Sequence, residues 1–314
     1  MDQQLINSQY QRRLIWASVR AQLEADNFKH RKYGEKRKRH WSLFEVLIHI
    51  FGSLLKVTPL YRIGTKNASS IVLKRIELEF PDLPEPFHGY TVLHLTDLHI
   101  DFIPGMEQVI GELLSGIDAD VCTITGDFRE RISGGFKSII KPIRDIVGNM
   151  NTRDGIVATL GNHDSYQMVD PFEKMGIRVL ANETIDVRRG GERILITGLD
   201  DPYYYYTDQA VRALEETPDA FKIALVHAPS MFDAASENGY RLYLCGHTHG
   251  GQICLPGGIP IILHIRYGRQ FYRGLWHYNG MTGYTGQGTG TVGIPLRFNT
   301  RNEITLFTLR RGST

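Results

Sequence analysis

Beyond Gly89, six short apolar runs each stop on a side chain that can carry charge or hold a metal. Thr91 to Leu95 leads into Asp97 and His99, Val121 to Thr125 into Asp127, and Ile156 to Leu160 into Asn162, His163 and Asp164. Ile194 to Thr197 leads to Asp200 and Asp201, Ile223 to Val226 to His227, and Leu242 to Cys245 to His247 and His249. These short apolar runs read as strands, and with the helical or loop stretches between them they predict a layered α/β body. Open α/β sheets bind ligands beyond the carboxyl ends of their strands, so residues far apart in sequence are expected to meet in one crevice.

Taken singly, each ending is an ordinary turn or surface residue. Together they are hard to explain by folding, because clustered carboxylates repel and clustered histidines add no core. A metal site removes the objection. The donors are nitrogen and oxygen without sulfur, which suits manganese, iron, zinc or cobalt in an open catalytic centre better than a structural zinc site. In extended backbone, residues i and i+2 share a face, so Asp97 with His99 and His247 with His249 are each expected to present two groups to one centre, with Leu98 and Thr248 pointing away.

Asp97-Leu98-His99, Gly126-Asp127, Gly161-Asn162-His163-Asp164, His227 and Gly246-His247-Thr248-His249 occur in an order that resembles the calcineurin-like metallophosphoesterases, over roughly residues 72 to 308. Gly250-Gly251-Gln252, Asp200-Asp201-Pro202 and Pro295-Leu296-Arg297-Phe298 are similar to a bacterial branch of that family that works at membranes. The resemblance implies an α/β fold with two central mixed sheets flanked by helices. It also implies two divalent cations, manganese first, with iron, zinc or cobalt as alternatives. Asp97, His99, Asp127 and His249 would hold one metal, and Asp127, Asn162, His227 and His247 the other, with Asp127 as the bridge. Such a pair activates hydroxide for in-line attack on phosphorus. By the same resemblance His163 stabilises the transition state or protonates the leaving group, with Asp164 orienting its ring. Glu130 stands where many relatives carry Asp. Arg129 reads equally as a phosphate contact or a solvated arginine.

Ahead of this body, residues 1–65 read as a basic, amphipathic helical appendage to a catalytic domain spanning 66–314. Residues 3 to 29 predict a helix. Residues 29 to 40 then hold seven Lys/Arg against Glu35 alone, a net +6 within a chain of net +2, which leaves −4 elsewhere. From Trp41 to Val57, eleven of seventeen residues are apolar, with Glu45, His49, Gly52 and Lys56 as a narrow polar stripe. This segment is too short and interrupted to span a bilayer. It is expected to lie on an anionic membrane surface, the alternative being that it packs on the protein. Ile76, Leu78 and Phe80 alternate with charged residues and predict a strand with one buried face.

Three cysteines form no paired framework, and a polar stretch follows Arg12-Arg13 where an export signal needs an apolar core, so a cytoplasmic protein on the inner face of the membrane is expected. The substrate expected is a phosphate ester or anhydride, lipid-linked by analogy with UDP-2,3-diacylglucosamine pyrophosphohydrolases; nucleic acid is not expected as a partner. A soluble nucleotide or generic diester and a non-catalytic scaffold are the alternatives. Deleting residues 1–60 is expected to release the protein from membranes while sparing hydrolysis of a small diester. Gly288 to Gly293 matches G-x-G-x-x-G but runs into Pro295 rather than a helix, and reads as a turn. Tyr203 to Tyr206 read as a groove lining or as packing beneath a loop.

Overall fold

The computed structural model describes residues 3–33, 50 and 52–312, with the side chains of 3–9 and 27–33 left aside. Most of the basic run, and the 41–57 segment up to residue 49, lie outside the described residues.

Two six-stranded mixed sheets form the centre. In spatial order the first carries Ile71–Phe80, Asn302–Arg311, Tyr90–Leu95, Val121–Thr125, Ile156–Thr159 and Ile177–Val179. The second carries Gly274–Tyr278, Met281–Thr285, Leu242–Cys245, Phe221–Leu225, Glu192–Gly198 and Glu183–Arg189. The four strands from Tyr90–Leu95 to the edge strand Ile177–Val179 run parallel, as do the four from Glu192–Gly198 to Met281–Thr285.

Alternation along the strands builds three cores. Val92, Val121, Val157 and Phe307 face Ile194, Ile196, Ile223 and Leu244 between the sheets. Leu93, Leu95, Cys122 and Ile124 point the other way, beneath the helices Met106–Leu114 and Lys137–Val147. Those helices bury Met106, Ile110 and Leu114, and Ile139, Ile143 and Ile146, each at helical spacing. Outside the second sheet, Ala210, Leu214, Phe232 and Ala235 of two further helices cover Ala224 and Tyr243. Six of these strands end at the six polar stops predicted above, three from each sheet, so the two sheets meet at one edge with all their chemistry there.

The N-terminal segment packs on the catalytic body on both sides of residue 65. The boundary falls inside the helix Pro59–Ala68. Trp16 of the N-terminal helix Gln3–Tyr33 is buried in the same core as Leu93 and Phe172. Leu55 packs on Ile294 and Leu296, so that end of the amphipathic segment lies on the protein, while Leu54 and Val57 face outward.

Candidate metal centre

The nine residues given a metal-binding or catalytic role by the resemblance come together, while Asp200 pairs with Arg20 and Trp16. Asp127 Oδ2 lies 3.3 Å from His227 Nε2, 3.7 Å from His99 Nε2 and 3.9 Å from His163 Nε2. On one side His99 Nε2 faces His249 Nε2 at 3.2 Å, and Asp97 Oδ1 approaches His249 Nε2 at 3.4 Å. On the other, His227 Nε2 faces both Asn162 Oδ1 and His247 Nδ1 at 3.1 Å.

The backbone achieves this differently from the extended geometry expected. Asp97, His99, Asp127, His247 and His249 all have positive φ, between 37° and 71°. This left-handed conformation is costly for residues with a Cβ and is concentrated at functional sites. The i, i+2 pairs still converge, with Leu98 turned into the core and Thr248 Oγ1 donating to Tyr272 O, but tight turns rather than strand pleat aim them. Two glycines make room: a Cβ on Gly161 would overlap Asp127 Oδ1, and one on Gly246 would overlap Thr96 and Asp97.

Hydrogen-bond roles fix where the ring lone pairs point. His227 Nδ1 donates to Thr125 O at 2.8 Å and His247 Nε2 to His264 O at 3.0 Å, because a carbonyl can only accept. The neutral rings therefore turn bare nitrogens toward each other and toward Asn162 and Asp127. His99 behaves alike, donating from Nδ1 to Arg129 O at 2.9 Å. Lone pairs meeting without a hydrogen between them repel unless a positive charge sits among them. His227 registers that demand: burial opposes its protonation, yet Asp127 outweighs burial and holds its pKa well above the ordinary value. Burial likewise opposes ionisation of Asp127, but His227 and His163 overcome it and keep the carboxyl well below the usual range. Burial, then His227, pushes His247 down to about 3, and burial takes His163 to about 4. Asp127 is thus ionised and His163 and His247 neutral, the forms in which such groups bind divalent metal, while His227 must give up a proton to join them. His249, held well below the usual range by burial and then His99, differs only in its bonding: its Nδ1 accepts from Arg297 Nη2 at 3.2 Å.

Two expectations are corrected. Asp164 does not orient the His163 ring. Its carboxylate accepts the backbone N–H groups of Gly161, Asp127 and Phe128 at 2.7 to 2.9 Å, tying two site loops together, and the His163 Nδ1 partner is Glu130 O. Arg129 is neither solvated nor free for phosphate: it is buried and donates to His163 O, Gly134 O and Ile132 O. Residues around the Gly288 turn carry no helix and bond to the Asp97 segment, through Thr289 N to Thr96 O and Gly290 N to Asp97 O. Tyr203 packs against His247 with the rings tilted at 52° and their centroids 4.8 Å apart. No sequence pattern marked Arg20, which is buried against the Gly161–Asp164 loop.

A sequence profile of the family described as calcineurin-like phosphoesterase matches residues 90–251. An uncharacterized metallophosphoesterase of Bacillus subtilis, YkoQ, is 23% identical over 277 residues, 84% of this chain and 98% of that one. A zebrafish (Danio rerio) transmembrane protein with metallophosphoesterase domain is 28% identical over 260 residues, 76% of this chain and 57% of its own length. The Escherichia coli phosphodiesterase YaeI is 23% identical over 243 residues, 73% of this chain and 84% of its own.

Proposed function

Since the chain belongs to the calcineurin-like phosphoesterase family and is a metal-dependent phosphoester hydrolase, we propose that it cleaves a lipid-linked pyrophosphate or phosphodiester at a membrane surface, with UDP-2,3-diacylglucosamine as the first specific substrate to test. The observation that carries the hydrolytic reading is the convergence of bare imidazole nitrogens and carboxylate oxygens on Asp127. Asp97, His99, Asp127 and His249 would hold one cation, and Asp127, Asn162, His227 and His247 the second. Bound there, two divalent cations, manganese foremost, supply Lewis-acid activation of water and charge neutralisation at the phosphoryl oxygens.

The protein's own part is orientation and proton handling. Solvent reaches the cluster at His163 and His247, both half-buried where their neighbours are buried, so the phosphoryl group arrives on that side. Glu130 O holds the proton on His163 Nδ1. Donation from Nε2 to a leaving oxygen therefore requires the imidazolium, which an approaching phosphoryl anion favours.

The lipid half of the proposal rests on surface chemistry. Leu54, Val57, Leu60 and Ile63 on one segment, and Leu255, Ile259 and Ile261 on another, are exposed. Both segments pack on the same small core of Leu55, Ile253, Leu296 and Phe298. Residues 50–76 and 253–273 hold Lys56, Arg62, Lys66, Arg266 and Arg269 among others, and no Asp or Glu. Apolar anchors with cations alone suit an anionic bilayer. His264 O touches His247, so the second segment borders the catalytic crevice. No described helix is long and apolar enough to cross a membrane.

Manganese-loaded protein should release UMP from UDP-2,3-diacylglucosamine faster than it cleaves a chromogenic diester. No release would end that substrate claim and favour the second reading, a soluble diester, which the phosphodiesterase name of the Escherichia coli relative supports.

A further inference from the structure

The N-terminal helix reaches across the molecule to the loop that carries Asn162 and His163. Trp16, Arg20 and Glu24 lie on one face at four-residue spacing. The Arg20 side chain is fully buried. Its Nη2 donates to Gly161 O and to Asp164 O, each at 3.1 Å, and so spans the two residues between them. Its Nη1 pairs with Asp200 Oδ1, whose other oxygen accepts from Trp16 Nε1 at 2.8 Å, and the Tyr205 ring lies 3.4 Å from the guanidinium carbon. Glu24 completes the grip, accepting from Ser165 Oγ and Tyr166 N at 2.8 Å. From the opposite side Arg129 Nε donates to His163 O at 2.7 Å. The carbonyls of Gly161, His163 and Asp164 are thus each held by a guanidinium from another part of the chain.

We propose that Arg20 is a positioning residue that fixes Asn162 and His163 in place, making the N-terminal helix a working part of the metal centre. This rests on the reading above that Asn162 and His163 serve the centre. A planar guanidinium can hold two carbonyls and a carboxylate at once, whereas an ammonium at the end of a lysine cannot match that geometry. Loss of the bridge frees the loop without removing any metal ligand. On this proposal, deleting residues 1–60 lowers hydrolysis of a small diester rather than sparing it.

The test uses the full chain with Arg20→Ala, Arg20→Lys, Asp127→Asn and Arg12→Ala, the last an exposed site on the same helix. Manganese binding by titration calorimetry, kcat and KM on a soluble diester, and melting temperature are measured for each. Arg20→Ala should bind its weaker manganese about ten- to a hundred-fold less tightly, as for other outer partners of metal ligands. Its tighter manganese should stay near wild type, and kcat should fall with KM little changed. Arg20→Lys should fall between, and Arg12→Ala should match wild type. Folded Arg20→Ala with both affinities and kcat unchanged would overturn the proposal. Should Arg20→Ala not fold, Arg20→Lys decides by the same readouts, wild-type values sinking the idea. Asp127→Asn reports separately on the metal reading: unaltered manganese binding there would refute the centre itself rather than the role of Arg20.

Discussion

Asp127 touches more of the cluster than any other described carboxylate, with three imidazoles within 3.9 Å of one oxygen. Asp127→Asn keeps the shape and removes the charge. Its kcat/KM should drop by more than the ~100-fold typical of losing an outer partner, read on a soluble diester with saturating manganese. His227 gives a second prediction with a sign. Its pKa is held well above the ordinary value, with Asp127 overcoming the effect of burial, so the metal-free protein carries a proton there at neutral pH. A cation taking its place must expel that proton. Titration calorimetry in buffers of differing ionisation enthalpy should show about one proton released at this position, and none from His227→Ala. The identities of these residues were legible in sequence because a carboxylate or imidazole after a buried strand has no folding purpose. The role of Asp164 was not, because hydrogen bonds to the N–H groups of Asp127 and Phe128 leave no mark in a sequence pattern.

At the scale of elements, strands were readable from their apolar runs, and the six strand ends gave the location of the site. The turns that aim the ligands were not readable, since positive φ at Asp97, His99 and His247 is a property non-glycine residues do not advertise. The glycines beside them did give a hint. Gly161→Ala would press a methyl into Asp127, and should cost about 1–3 kcal/mol in denaturant unfolding together with weaker metal binding. The N-terminal helix was foreseen as a helix but not as a partner of the site. Arg20 sits 141 residues from Gly161 in sequence, and spacing of four with Glu24 is ordinary on any solvated helix. Removing Arg20 strands the buried Asp200 carboxylate, so Arg20→Ala should destabilise the protein by about 3–5 kcal/mol, measured by chemical denaturation.

For the whole molecule, two sheets from distant parts of the chain meet along one edge, and a cationic, apolar surface borders that edge. The proposed peripheral attachment, driven by both terms, should weaken with salt, since exposed charges are screened over about 8 Å at physiological ionic strength. Sedimentation with phosphatidylglycerol vesicles should exceed that with phosphatidylcholine, and Leu54→Asp with Val57→Asp should reduce it while leaving soluble-diester hydrolysis intact. Equal binding to both vesicle types would remove the electrostatic part. The fold class could be read because alternating apolar runs and helices permit few packings.

The most direct measurement is metal content against activity in the purified full chain. Elemental analysis should find two divalent cations per chain, with diester hydrolysis lost on chelation and restored by manganese. Hydrolysis that persists in metal-free protein, or cations retained in full by a chain lacking both Asp127 and His227, would contradict it.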